Sequence, residues 1–242
     1  MTKYTLILIN LISWSLLAAP ESQEFDSKGL NEIWLENVTG KINVSGSVEN
    51  LKTIVTATKN KFSDNCKMSI ERSGNNLIIK VERSNKSVPA EECDVDFDLK
   101  VPRLVNLDIT SISGNLTSDN TKGDIVFNMG NGNIVTTAKI KKLEGILANG
   151  NIIAKSLIGS SDVQVDNGDV NLTYGYGEEP LTGELEIKTN KGNATVKFPQ
   201  GTKIQAKLTS KGDLINEMGN TENAPFKVSM KSTSGNLKIK SN

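Results

Sequence analysis

Apolar and polar residues alternate in short runs along most of the chain. Residues 194–198, 204–208 and 226–230 are clear examples, with an apolar side chain at every second position. A period of two places the apolar side chains on one face of a β-strand and the polar ones on the other. After the first residues, no window sustains the apolar spacing of a helix. The pattern therefore predicts an all-β protein.

A three-residue pattern separates many of these runs: a glycine, then Asn or Asp, then in most cases an aliphatic residue. Gly supplies the positive φ that a sharp corner needs, and the Asn or Asp side chain can hydrogen-bond the corner backbone. The early glycines fall 9 or 18 residues apart and the later ones 20 to 24 apart, so we interpret the unit as a repeat with insertions. The eight instances are Gly114-Asn115-Leu116, Gly123-Asp124-Ile125, Gly132-Asn133-Ile134, Gly150-Asn151-Ile152, Gly168-Asp169-Val170, Gly192-Asn193-Ala194, Gly212-Asp213-Leu214 and Gly235-Asn236-Leu237.

Two architectures can use a strand–corner–strand unit. In a β-solenoid the coils stack in parallel, and the Asn and Asp residues after the glycines align into ladders. In an antiparallel β-meander or sandwich each corner is a hairpin, which the Asn-Gly pairs at 131–132, 149–150 and 167–168 would suit. We expect the solenoid, with the meander or sandwich as the alternative.

The front of the chain differs from the rest. Residues 20–102 lack the triplet, apart from the looser relative at Gly40, and their alternating runs are longer. Because a solenoid needs atypical ends to close its exposed edges, we expect residues 20–102 to be an N-terminal antiparallel β cap. Residues 103–242 then form the repeat domain.

Cys66 and Cys93 are the two cysteines of the chain. In an exported protein such a pair predicts a disulfide, worth about 3–4 kcal/mol through closure of the intervening loop. If the strands of the cap ran in sequential order, the two residues would lie about 9.6 Å apart, beyond disulfide reach. The bond therefore requires a non-sequential strand order or loops that cross the sheet edge.

The N-terminus has the layout of a secretory signal peptide. Lys3 precedes an apolar stretch that ends in small residues at Ala18 and Ala19, and the stretch is too short to span a bilayer. We expect residues 1–19 to be removed and the protein to be exported, to the periplasm, the cell surface or the medium. The mature chain contains no further candidate transmembrane segment.

Composition excludes several kinds of chemistry. The chain has no histidine, which removes Ser-His-Asp and Cys-His nucleophilic sites and His-ligated metals. The 28 basic and 28 acidic residues are scattered, so no basic patch suggests nucleic acid. Asp94, Asp96 and Asp98 alternate along one strand, and we interpret them as a solvated face rather than an acid–base pair. We expect no catalytic residues, cofactor or metal, and interpret the corner Asn and Asp residues as structural.

One loop offers a candidate contact for a ligand. Tyr174 and Tyr176 alternate with glycines and precede two glutamates, so we expect exposed rings that could stack on a sugar. An ordinary long turn between coils is the alternative interpretation.

The sequence resembles the bacterial "putative adhesin" family of β-strand-repeat domains of unknown function. The resemblance is strongest in Val101-Pro102-Arg103-Leu104, in residues 107–116 and in the corners that follow to Asn242, and it covers residues 25–242. It implies an exported or envelope-associated solenoid-like domain without established catalytic residues. We therefore expect a non-enzymatic, adhesin-like envelope or surface module that binds an unidentified envelope, glycan or protein partner. The alternative is a carbohydrate-binding or carbohydrate-active β-helical protein.

Overall fold

A computed structural model of the chain describes residues 19–48, 51–177 and 180–242. This part consists of 21 β-strands and one short 3-10 helix, Ala90–Glu92, which confirms the all-β prediction. None of its helical structure is long or apolar enough to cross a membrane. The predicted signal peptide lies outside the described residues, except for Ala19.

The strands are short and evenly distributed along the chain. In chain order they are β1 (Glu21–Asp26), β2 (Glu32–Thr39), β3 (Ile42–Ser47), β4 (Lys52–Phe62), β5 (Cys66–Ser73), β6 (Asn76–Arg83), β7 (Cys93–Pro102), β8 (Asn106–Ser113), β9 (Leu116–Asp119), β10 (Ile125–Asn131), β11 (Ile134–Thr137), β12 (Lys142–Asn149), β13 (Ile152–Leu157), β14 (Ser160–Asn167), β15 (Val170–Tyr174), β16 (Gly183–Lys191), β17 (Ala194–Phe198), β18 (Ile204–Thr209), β19 (Leu214–Asn216), β20 (Phe226–Ser234) and β21 (Leu237–Ser241).

Successive strands form the coils of a parallel β-solenoid. In each coil one strand lies on what we call the first face, the chain turns a sharp corner, and the next strand lies on the second face. The first face has the order β6-β2-β8-β10-β12-β14-β16-β20-β18, and every neighbouring pair is parallel. The second face has the parallel order β7-β3-β9-β11-β13-β15-β17-β21-β19. The solenoid prediction is confirmed, and the Asn-Gly pairs are corners between the faces rather than hairpin turns.

The core lies between the two faces and consists of rows of stacked apolar side chains. One row on the first face runs through Ile33, Leu107, Ile125 and Leu143, all fully buried and in register. Burying an aliphatic side chain of this size contributes about 1.5–3 kcal/mol. The period-two pattern thus places one residue of each coil into each row, which fixes the register of the stack.

Antiparallel strands close the N-terminal end, as predicted for a cap. β4 pairs with β1 and β7 on the second face, and β5 pairs with β6 on the first face. Between this antiparallel end and the repeats lies the regular coil β2–β3, which pairs in parallel with β8 and β9. The stack is therefore continuous from β2 into the repeats.

The disulfide between Cys66 and Cys93 forms, with the two Cα atoms 5.6 Å apart. Cys66 begins β5, which extends the first face, whereas Cys93 begins β7, which belongs to the second face. The strand order is therefore not sequential. The bond joins the two faces at the capped end.

The last two coils are exchanged relative to chain order. β20 lies between β16 and β18, and β21 lies between β17 and β19, so the coil β18–β19 forms the C-terminal edge. An exposed parallel edge invites pairing with other chains. Asn220 blocks part of this edge, because its side chain accepts the Ala206 N–H at 2.7 Å and donates to the Ala206 carbonyl at 3.1 Å.

Candidate functional site

The corner glycines form a ladder of close backbone contacts along the solenoid. At Gly132 a Cβ atom would stand 1.7 Å from the Gly114 carbonyl oxygen, and φ is +136°. An L-residue rarely adopts this φ, and the overlap with the backbone leaves no room for a side chain. The same contact recurs through Gly40, Gly114, Gly132, Gly150, Gly168, Gly192, Gly235 and Gly212. These glycines are structural, and Gly40 belongs with them despite its looser sequence match.

The Asn and Asp residues after the glycines form the predicted ladder. Asn115 Oδ1 accepts the Asn133 backbone N–H at 2.8 Å, and Asn133 Oδ1 accepts that of Asn151 at 3.1 Å. The chain of bonds continues through Asp169 to Asn193. These oxygens therefore satisfy corner backbone groups of the next coil. No group of three or more metal-ligating side chains occurs in the described ranges.

Gly123 is the exception among the eight triplets. A Cβ there would stand 2.0 Å from the carbonyl oxygen of Val105, so Gly123 lies at the opposite corner, where the chain returns from the second face to the first. Gly159 occupies a comparable position beside Lys141. The 9-residue spacing on either side of Gly123 is therefore half a coil, and the coil period in this region is 18 residues.

The three alternating aspartates of β7 accept hydrogen bonds on the outer surface of the cap. Asp94 accepts a hydrogen bond from Asn60 at 3.1 Å. Asp96 accepts the backbone N–H of Lys41 at 2.6 Å, and Asp98 accepts a bond from Asn43 at 2.8 Å. These contacts tie β7 to β3 and β4, which favours a structural role.

Tyr174 is buried in the core, so the prediction that its ring is exposed is wrong. Its exposure is 0%, and the ring stacks on Phe198 at 4.8 Å between centroids and meets Phe226 edge-on at 5.1 Å. The hydroxyl donates to or accepts from Ser161 Oγ at 3.0 Å. Burial raises the pKa of the Tyr174 phenol well above its usual range, against a smaller opposing effect of that hydrogen bond. A ligand in solution cannot reach this side chain.

Tyr176 is 70% exposed and lies in an insertion. The corner glycines Gly168 and Gly192 are 24 residues apart instead of 18, and the additional residues belong to the connection between β15 and β16. A groove of about 460 Å³ lies between this segment and residues 199–203. Tyr176 lines it together with Pro180, Leu181 and other residues of the two segments.

A second groove of about 740 Å³ lies on the other side of the same insertion. It shares Gly177 and Pro180 with the first groove and is lined on its far side by Lys122, Lys139 and Lys141. These lysines lie in two successive connections that return from the second face to the first, β9–β10 and β11–β12. The insertion therefore interrupts an otherwise regular edge and creates two adjoining concave surfaces.

Trp34 is a candidate that the sequence interpretation missed. It lies in β2 on the outer surface of the first face and is 43% exposed, between Ile78 and Asp108 in register. The signal was available, because Ile33 and Leu35 are the inward positions of this strand and an alternating pattern places Trp34 outward.

The geometry defines a parallel β-solenoid with an antiparallel, disulfide-linked end and outer surfaces that carry exposed aromatic side chains. The chain belongs to the Toastrack family, DUF4097, whose profile matches residues 24–242. This confirms the resemblance to adhesin-type β-strand-repeat domains of unknown function. A comparison with curated proteins finds no match.

Solved structures of similar proteins come from several bacteria. A putative adhesin from Bacteroides fragilis is 14% identical, covers 91% of this chain and 97% of its own, and has a TM-score of 0.50. A putative cell adhesion protein from Clostridium sporogenes is 14% identical, with coverages of 93% and 99% and a TM-score of 0.43. A putative lipid binding protein from Parabacteroides distasonis is 18% identical, with coverages of 92% and 96% and a TM-score of 0.44. At these identities the likeness concerns the fold alone.

Proposed function

We propose that the chain is an exported, non-enzymatic binding module of the cell envelope, adhesin-like in that it presents a rigid β surface to a partner. The observation that carries this proposal is the groove beside Tyr176, where an insertion into a regular stack creates a concave surface with an exposed aromatic ring. Binding sites are typically concave and carry a few aromatic and polar groups on a rigid scaffold.

Export is supported by two independent features. The first 19 residues have the layout of a signal peptide. The Cys66–Cys93 disulfide suits an oxidising compartment such as the periplasm or the extracellular space.

The non-enzymatic part of the proposal rests on how the carboxylates are used. The corner Asp169 and the cap residues Asp94, Asp96 and Asp98 all accept hydrogen bonds from neighbouring strands or corners. A glycosidase needs two carboxyl groups that face each other across the substrate, whereas these face outward along a sheet or an edge.

Capture of envelope components on the immobilised full chain tests the proposal. We expect a glycan or protein fraction to be retained by the wild-type chain, lost with Tyr176→Ala, and recovered chemically unchanged. The matched control is Ile153→Ala, which removes a half-exposed apolar side chain from the second face, away from the groove. Equal retention by the Tyr176 variant and the wild type would remove the groove from the proposal, and turnover of the retained material would contradict a non-enzymatic role.

A further inference from the structure

Trp34 lies on the outer surface of the first face, in the middle of β2. Its register neighbours are Ile78 of β6 on one side and Asp108 of β8 on the other. A tryptophan on a regular strand is held by stiff backbone on both sides and has few rotatable bonds, so its exposed ring is a large apolar surface that a ligand can cover at little entropic cost.

Hydrogen-bonding side chains surround this ring. Glu32 and Glu36 lie two positions away on the same side of β2. Asp108 lies opposite Trp34, and Lys80 reaches Glu36 at 3.6 Å between Nζ and Oε2. Partial burial raises the pKa of the Asp108 carboxyl, and the negative charge of the nearby Glu32 raises it further.

This combination favours a sugar over a protein surface as the ligand. The centres of protein–protein interfaces are depleted of Glu and Asp, whereas Trp34 has three carboxylates around it. A pyranose ring has an apolar face of C–H groups, which carry partial positive charge and are attracted to the negative face of an indole. Its rim of hydroxyl groups can donate to the surrounding carboxylates.

The local charge also limits the kind of sugar. Glu32, Glu36 and Asp108 outweigh Lys80, which in addition pairs with Glu82. An acidic sugar would meet like charges, whereas a protonated amine would gain attraction to the carboxylates and to the indole face.

We propose that Trp34 is the stacking platform of a glycan-binding site on the first face, which takes neutral or amine-bearing pyranose units and rejects uronates. The site lies on the capped half of the stack, on a different surface from the groove beside Tyr176. It rests on the proposed function to the extent that both treat the chain as a binding module.

Intrinsic fluorescence gives a direct readout of this site. The chain contains two tryptophans, and Trp14 lies in the predicted signal peptide, so the chain without residues 1–19, or the full chain carrying Trp14→Phe, reports on Trp34 alone. The probes are oligosaccharides of glucosamine, of N-acetylglucosamine and of galacturonic acid. We expect a saturable change in emission with the glucosamine and N-acetylglucosamine oligosaccharides, with higher affinity for glucosamine. We expect no change with galacturonic acid.

Calorimetry with the same oligosaccharides tests the residues. We expect Trp34→Ala to weaken binding about tenfold or more and Trp34→Phe to retain an intermediate affinity, because a smaller aromatic ring still stacks. Asp108→Asn reduces the preference for glucosamine over N-acetylglucosamine. The control Ile153→Ala removes an apolar side chain that is similarly exposed, at 37%, and leaves binding unchanged.

Three outcomes would overturn the proposal. The first is unchanged affinity in Trp34→Ala, and the second is no emission change with any of the three oligosaccharides. The third is loss of a captured protein in Trp34→Ala while no sugar binds, which would make the surface a protein interface. None of these outcomes affects capture that depends on Tyr176, so the failure of this site and the failure of the proposed function can be told apart. Equal urea midpoints for the wild type and Trp34→Ala exclude unfolding as the cause of lost binding.

Discussion

The carbonyl oxygen of Gly132 lies 1.6 Å from the point where a Cβ atom at residue 150 would stand. The relationship repeats along the first-to-second-face corners from Gly40 to Gly235, so the backbones of neighbouring coils touch where the chain passes from the first face to the second. The neighbouring coil therefore requires glycine at these positions, in addition to the positive φ of the turn itself.

Gly150→Ala is expected to lower the free energy of unfolding by more than about 3 kcal/mol or to prevent folding. The added Cβ overlaps the Gly132 backbone, and φ at this position is +137°, which costs an L-residue an additional 1–3 kcal/mol or so. Urea unfolding of purified protein measures the effect. Gly201→Ala is the matched control, because φ is +81° there but nothing lies within 4 Å of the new atom, so we expect about 1 kcal/mol. Equal losses in the two variants would contradict the role of the ladder.

The side-chain ladder at the same corner is expected to contribute less than the glycines. Asn133→Ala removes the acceptor for the Asn151 N–H and should cost about 1 kcal/mol. Asn133→Asp keeps an acceptor oxygen and has neutral neighbours, Asn115 and Asn151, so it should stay close to the wild type. Thermal melts of the two variants separate the hydrogen bond from the rest of the side chain. An equal loss in both would show that the amide rather than the acceptor oxygen matters.

The Cys66–Cys93 bond is expected to stabilise the capped end by about 3–4 kcal/mol, since it closes a separation of 27 residues. Replacing both cysteines with serine should lower the urea midpoint, and reduction of the wild-type protein should produce a similar shift. The reductant should have no effect on the double variant. A wild-type midpoint that does not respond to reduction would contradict this estimate.

Tyr174 is expected to make stability sensitive to alkaline pH. Burial raises the phenol pKa in the folded protein, whereas the unfolded chain retains a value near 10. The stabilisation is therefore fully present below the unfolded pKa and is lost as pH rises toward the folded pKa. Between pH 8 and pH 11 the urea midpoint should decrease more for the wild type than for Tyr174→Phe. The variant keeps the ring contact with Phe198 but cannot ionise. Parallel pH profiles would contradict this explanation.

Much of the fold could be predicted because its pattern is local. Every second residue faces the core, and each first-to-second-face corner except the β6–β7 connection carries a glycine, so the solenoid and its ladder could be predicted. The disulfide could be predicted from the presence of just two cysteines. The predicted exposure of Tyr174 is wrong because the inward alternation of Val170 and Leu172 continues to Tyr174, although glycines follow it in the chain. The position of Gly123 cannot be predicted from the triplet, because the same triplet occurs at both kinds of corner and only the backbone contacts distinguish them.

The binding surfaces were harder to predict for a physical reason. The surface around Trp34 is formed together with β6 and β8, and β6 follows Trp34 by about forty positions in the chain. The groove beside Tyr176 depends on residues 199–203, which return to the same corner one coil later. Such surfaces arise from strand order, and strand order at both ends of this protein is not sequential.

The exchange of the last two coils has a consequence for the order of assembly. β18 and β19 leave the ribosome before β20 and β21, yet β20 and β21 take the places next to β16 and β17. A chain that added coils strictly in order of synthesis would put β18 in the wrong place. β20 and β21 therefore insert between coils that precede them in the chain, and the native arrangement can be reached only after β21 has been synthesised.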